Sequence, residues 1–276
     1  MPSYPISKHG LIASLLALFA LAPNVPAHAA GEILITHAKA LVGNVTPGDT
    51  PGYPVSLTRP GSYELASNLF VAAGKIGIQV TSANVTIDLN GFTMQGSGVA
   101  TYGIQGSLNR ATNSATIKNG TITGFKFDGI IAGGRFWSIE NMRVAGNGGY
   151  GIRVGDNAHI RSSTSSENGS DGALCENLCL VERSATTSNG GSGIVCGLSC
   201  HAEGNLASYN DHYGIYLYDG LILGNTISRN DSFGISGGSF AAVYGDNALT
   251  GNNQGNAQAQ GVSSLHANFC YPGPCP

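Results

Sequence analysis

A glycine followed by an apolar residue returns along this chain at a nearly fixed interval, and that interval limits what the chain can fold into. The pair stands at Gly77-Ile78, Gly103-Ile104, Gly129-Ile130, Gly151-Ile152, Gly172-Ala173, Gly193-Ile194, Gly214-Ile215 and Gly234-Ile235, with spacings of 26, 26, 22, 21, 21, 21 and 20 residues. Asparagines run in step at Asn147, Asn168, Asn189, Asn210 and Asn230, and an apolar set runs at Ile160, Val181, Ala202 and Ile222. Repeats of this length mark solenoids, in which each repeat buries its apolar face only by stacking on the next.

Apolar and polar residues alternate within each repeat, as in Ile152/Val154, Ile194/Cys196 and Ile215/Leu217. A period of two means strands, and the Leu-x-x-Leu-x-Leu pattern of leucine-rich repeats is absent. Three short strands and three turns per repeat describe one coil of a β-helix. The expected fold is therefore all-β: a single-stranded right-handed parallel β-helix of about eight coils. Inward Ile, Val and Leu would form its core, and buried Asn would pass hydrogen bonds from coil to coil. Gly at the strand start is expected to supply a backbone conformation closed to other residues.

The ends depart from this period. Leu11 to Ala22 is a short apolar run behind Lys8 and His9, and Ala27-His28-Ala29 is a small-x-small cleavage pattern. Residues 1–29 are read as a signal peptide, too short in its apolar part to span a bilayer. Residues 30–60 are expected to form an N-terminal cap and lead-in, 61–255 the β-helix, and 256–276 a tail closed by a disulfide loop. The protein is expected to be secreted or periplasmic, with no membrane segment after cleavage.

Charged residues make up 11% of the chain and the formal net charge is −3, against about 25% charged in an average soluble domain. No basic stripe exists to neutralise phosphates, which argues against nucleic acid as a partner. Export makes the six cysteines candidates for disulfides. They fall in three close pairs, with Cys175–Cys179, Cys196–Cys200 and Cys270–Cys275 favoured and Cys175–Cys196 with Cys179–Cys200 as the alternative. The four mid-chain cysteines align with core positions of neighbouring coils, which speaks against zinc.

Several segments resemble secreted bacterial right-handed parallel β-helix proteins of the pectate-lyase-like superfamily: residues 46–55 (TPGDTPGYPV), 60–69 (PGSYELASNL), 82–92 (SANVTIDLNGF) and 268–276 (NFCYPGPCP). Residues 211–230 (DHYGIYLYDGLILGNTISRN) look most like the carbohydrate-binding repeats of NosD-type periplasmic proteins. The resemblance implies a polysaccharide partner. If the protein is an enzyme, it implies a polysaccharide lyase, epimerase or glycoside hydrolase.

Such enzymes need a base and a means to neutralise a carboxylate, or two carboxylates on one face. No Asp-Asp pair or calcium-binding repeat occurs, and Asp128, Asp171, Asp211, Asp219 and Asp231 are scattered singly. The adjacent Asp211-His212 is the one weak catalytic candidate. Counting in phase puts Arg153 and Tyr216 at one outward position, Tyr150 and Tyr213 just before the glycine, and Tyr218 two beyond Tyr216. Arg153, Tyr213, Tyr216 and Tyr218 are the expected substrate-binding residues. Arg161, Glu182 and Glu203 share another outward column, where an Arg161–Glu182 ion pair is expected. His159 and His201 lie two coils apart, about 9.6 Å, too far to share a metal. No metal site and no cofactor is expected. The competing class is a non-catalytic structural or adhesive surface module.

Overall fold

The computed structural model describes residues 31–107, 114–238 and 242–275; the expected signal peptide lies outside them. The chain winds into a right-handed parallel β-helix of about 9 turns. Most turns lay one strand in a ten-stranded sheet and two in a nineteen-stranded sheet; in two turns the latter pair is a single nine-residue strand, Ala115–Thr123 or Trp137–Ala145. One turn consists of Ile152–Val154, His159–Arg161 and Thr164–Ser166; the next consists of Ala173–Cys175, Leu180–Glu182 and Ala185–Thr187. All pairings are parallel, and the register runs Ile152↔Ala173↔Ile194↔Ile215↔Ile235. That register is the repeat period of the sequence.

The eight Gly-apolar pairs each open a strand of the ten-stranded sheet. Its two further strands, Val55–Leu57 and Ala259–Gln260, follow Pro54 and Gln258 instead of glycine. The ladders accordingly extend to both sides of residues 61–255. Ile33–Ile35 pairs with Gly61–Leu65, and Phe269–Tyr271 pairs with Ala248–Thr250. Between Ile33–Ile35 and Val55–Leu57 the chain forms a short helix, His37–Val42, capped by the Thr36 hydroxyl, which accepts from the Lys39 N–H. His37 packs edge-on against Phe70, and the Phe70 N–H donates to its Nδ1. A helix cannot extend a ladder, so Leu69–Val71 is not extended by another strand at this edge.

The core is continuous along the axis. Ile160, Val181, Ala202 and Ile222 form one of its columns, as expected, joined by Ile139 and Tyr244. The glycines opening the strands serve close packing, not unusual torsion: none of the eight has a positive φ. A Cβ at Gly214 would sit 2.4 Å from Ile227 and 2.6 Å from the Gly234 carbonyl oxygen. Successive turns approach too closely there for any side chain.

The turns of residues 152–168, 173–189 and 194–210 each use left-handed backbone at three bends. Glu167, Ser188, Tyr209 and Arg229 all adopt it, with φ of 56°, 55°, 56° and 54°, a region costly for non-glycine residues. Each is followed by a ladder asparagine, whose side-chain oxygen accepts from the backbone N–H of the asparagine one turn earlier. The Nδ2–Oδ1 bonds run Asn147→Asn168→Asn189→Asn210→Asn230→Asn252 at 2.8–3.0 Å. Asn252 Nδ2 then donates to Gln258 Oε1 at 3.0 Å. A second ladder, Asn205→Asn225→Asn247→Asn268, was not read from the sequence although its spacing of 20, 22 and 21 residues is visible there. Ser163 and Ser184 continue it toward the N-terminus through backbone amides.

Cys175–Cys179 and Cys270–Cys275 are disulfides, as favoured. Cys196 and Cys200 are not joined, contrary to expectation: both are buried thiols. The neighbouring Cys200 side chain holds the Cys196 thiol well above its ordinary range, with burial adding to the effect, and Cys196 in turn draws Cys200 down.

Candidate functional site

The outer face of the ten-stranded sheet carries the candidate site residues Arg153, Tyr213, Tyr216 and Tyr218. Strand pairing places Arg153, Leu174, Val195 and Tyr216 in one outward row. Beside it, just before the glycines, run Asp128, Tyr150, Asp171, Ser192 and Tyr213. The turn of Gly214 gathers four rings. His212 lies 4.1 Å from Tyr213, Tyr213 stacks at 5.5 Å on Tyr216, and Tyr216 meets Tyr218 edge-on at 5.3 Å (ring centroids). His212 and Tyr218 are exposed, while Tyr213 and Tyr216 are half-buried. Burial raises the Tyr216 phenol above its ordinary range, and the neighbouring Tyr218 adds to the shift.

Arg153 is on this face but apart from the rings, three rungs or about 14 Å along the axis. Its guanidinium lies over the Tyr150 ring at 5.2 Å and pairs with Asp128 at 3.7 Å. A hollow of about 270 Å³ opens between Arg153, Tyr150, Leu174 and Glu176. A second, about 290 Å³, lies between Leu174, Asn177, Val195 and Tyr218. The two run in line along the sheet and leave its face open.

Asp211, the sequence candidate, is exposed at the corner. The carboxyl group whose charge meets His212 is that of Asp171, from two turns earlier. Ser192, in the turn between them, places its hydroxyl 3.4 Å from His212 Nδ1, and its N–H donates to Asp171 Oδ1 at 2.6 Å. In the sequence Asp171 is one of the singly scattered acids, and Ser192 is not singled out. Their shared position before successive glycines was the signal.

Burial holds Asp171 above the usual carboxylate range, opposed by the Ser192 N–H and the charge of His212. A carboxyl group whose folded pKa is raised binds its proton more tightly folded than unfolded. Its contribution to stability is therefore largest below the unfolded value and falls as pH rises through the folded value. Asp171→Asn keeps the acceptor oxygen and removes the charge. Thermal melts are expected to show the variant gaining stability over wild type from acid to neutral pH. A pH-independent difference would mean that Asp171 is not held out of water.

The nineteen-stranded sheet carries ion pairs. Arg161 bonds Glu140 at 2.6 Å rather than the expected Glu182, and Glu182 bonds Arg183 at 2.6 Å and His159 at 3.1 Å. The hydrogen bond from Arg183 lowers the Glu182 carboxyl below its ordinary range, the wrong direction for a general acid. Among the described residues no cluster of three or more His, Cys, Asp and Glu side chains is placed to hold a metal ion, and no helix is long and apolar enough to cross a membrane.

A family model described as the right handed beta helix region matches residues 55–203 and 128–269. No sequence match to a curated protein is found. Among solved structures, pectate lyase Pel9A aligns with a TM-score of 0.56 at 12% identity, covering 89% of this chain and 78% of that one. The periplasmic alginate epimerase AlgG aligns at 0.54 and 12% identity over 88% and 72%. The A-module of the Azotobacter vinelandii mannuronan C-5 epimerase AlgE4 aligns at 0.51 and 18% identity over 72% of each chain. At these identities the likeness is one of fold.

Proposed function

The chain belongs to the right-handed β-helix family, and from that premise we propose that it binds polysaccharide along the outer face of its ten-stranded sheet. The observation that carries this reading is the unbroken contact of His212, Tyr213, Tyr216 and Tyr218 on an open face. Flat rings on a flat sheet suit stacking against sugar faces, and the two hollows in line with them give an extended chain its track. The named actions of the similar structures, on pectate and alginate, support a polysaccharide as the class of ligand. The two disulfides suit an oxidising compartment, which supports a secreted or periplasmic location.

The open face favours binding over turnover, and the Asp171–Ser192–His212 cluster is where chemistry would enter. A glycan titration of wild type and Tyr216→Ala tests the reading. Loss of the ring is expected to cost about 1 kcal/mol, with affinity largely retained at moderate salt because stacking is not screened as charge pairing is. Equal affinity in both proteins, against a glycan that binds wild type, would remove this face from consideration. Product analysis on the same samples, with His212→Ala alongside, separates a binding module from an enzyme.

A further inference from the structure

The four mid-chain cysteines are not used by the polysaccharide reading, yet they lie together at one corner of the core. Cys175 and Cys196 are strand partners. Cys179 and Cys200 precede the paired residues Leu180 and His201, and the His201 N–H donates to the Cys179 carbonyl at 2.8 Å. The two five-residue turns are congruent: each places its fourth residue, Leu178 or Ser199, in left-handed backbone, with φ of 58° and 55°. One turn is closed by a disulfide with Cα atoms 6.3 Å apart, and the other holds two thiols. All four side chains are buried, at 2%, 3%, 0% and 0% exposure for Cys175, Cys179, Cys196 and Cys200. The Cys200 sulfur reaches to 3.7 Å from the carbonyl oxygen of Glu176, the residue that follows Cys175. Adjacent rungs stand about 4.8 Å apart, and a disulfide accepts Cα separations of about 4.4–6.8 Å.

We propose that the Cys175–Cys179 disulfide and the Cys196–Cys200 thiol pair exchange with one another, so that the disulfide migrates between adjacent turns of the solenoid. Cys200 is the attacking group. The neighbouring Cys196 thiol draws it toward the thiolate, and burial opposes. Its sulfur attacks Sγ of Cys179; the Cys179–Cys200 bond forms, the Cys175–Cys179 bond breaks, and the electron pair leaves on the Cys175 sulfur. Cys196, giving up its proton, then attacks Sγ of Cys200. The Cys196–Cys200 bond closes, and Cys179 leaves as thiolate. One proton and one negative charge pass from the second pair to the first, so no oxidant or reductant is consumed. The intermediate bond joins two turns covalently.

Acid-quenched alkylation of the folded wild-type protein, purified without reductant and followed by peptide mapping, tests this. Label is expected on cysteines of both turns, with some Cys179–Cys200 linkage. In Cys200→Ser, label is expected on Cys196 alone. Label confined to Cys196 and Cys200 in wild type would overturn the proposal, as would the absence of any free thiol. Label on Cys175 or Cys179 in Cys200→Ser would also overturn it, since exchange would then not need the proposed nucleophile.

Discussion

Ile194→Asp is expected to destabilise the solenoid by about 3–5 kcal/mol, the cost of leaving an uncompensated charge in a dry interior. Ile194 is fully buried in the column between Ala173 and Ile215. No cation lies in that column, so the carboxylate must be protonated or pull its turn open. Each turn touches only its neighbours, so the damage begins locally. Hydrogen exchange should first lose protection in Ala173–Cys175 and Ile215–Leu217, with the end turns following only as the whole array melts. Ser188→Asp is the control. Ser188 is exposed in left-handed backbone, which Asp tolerates, and its effect should stay within about 0.5 kcal/mol. Equal melting of Ile194→Asp and wild type would invert the inward phase assigned to the ten-stranded sheet.

Asn210→Leu is expected to cost nearly as much, for a different reason. The Asn210 Oδ1 accepts from the Asn189 N–H at 3.2 Å and from its Nδ2 at 3.0 Å. The Asn210 Nδ2 donates to the Thr186 carbonyl at 3.1 Å and to Asn230 Oδ1 at 2.8 Å. Leucine fills similar space but leaves these partners buried without it, at about 1–3 kcal/mol for each unsatisfied group. Several share other bonds, so the sum should settle near about 3 kcal/mol. Asn268→Leu, at the half-buried end of the second ladder, should cost about 1 kcal/mol, because water can replace the lost amide. Equal losses at the two positions, measured by chemical denaturation, would show that the ladders are not carried by buried amides.

The fold was legible because stacking turns a one-dimensional period into three-dimensional contact. Ile152, Ala173, Ile194, Ile215 and Ile235 are neighbours in space for the same reason that they are evenly spaced in the chain. The ladder of Asn147 to Asn230 was legible on the same grounds. The first and last rungs were not, because Val55–Leu57 and Ala259–Gln260 lie at the ends, where one side of the glycine's close contact is missing or altered. The state of Cys196 and Cys200 was also out of reach: spacing gives proximity, and proximity suits a thiol pair as well as a disulfide.

The site was legible only in part. The rings of Tyr213, Tyr216 and Tyr218 could be placed by phase, since each occupies a fixed position relative to Gly214. Arg153 shares the row of Tyr216, but phase says only which row a residue joins and not how many rungs separate its members. Asp171 and Ser192 were missed for the converse reason. A search for adjacent acids along the chain cannot find a carboxyl group that meets an imidazole 41 residues later in the sequence. On a solenoid, chemistry is assembled across turns.

The most direct test of polysaccharide binding along this sheet is hydroxyl-radical footprinting of the folded protein with and without a glycan it binds. Aromatic side chains oxidise readily when exposed, so both faces report at once. Protection is expected at Tyr213, Tyr216 and Tyr218, while Phe136 and Tyr209, exposed elsewhere on the solenoid, keep their reactivity. Protection centred on Phe136 or Tyr209, with the three tyrosines unchanged, would contradict it.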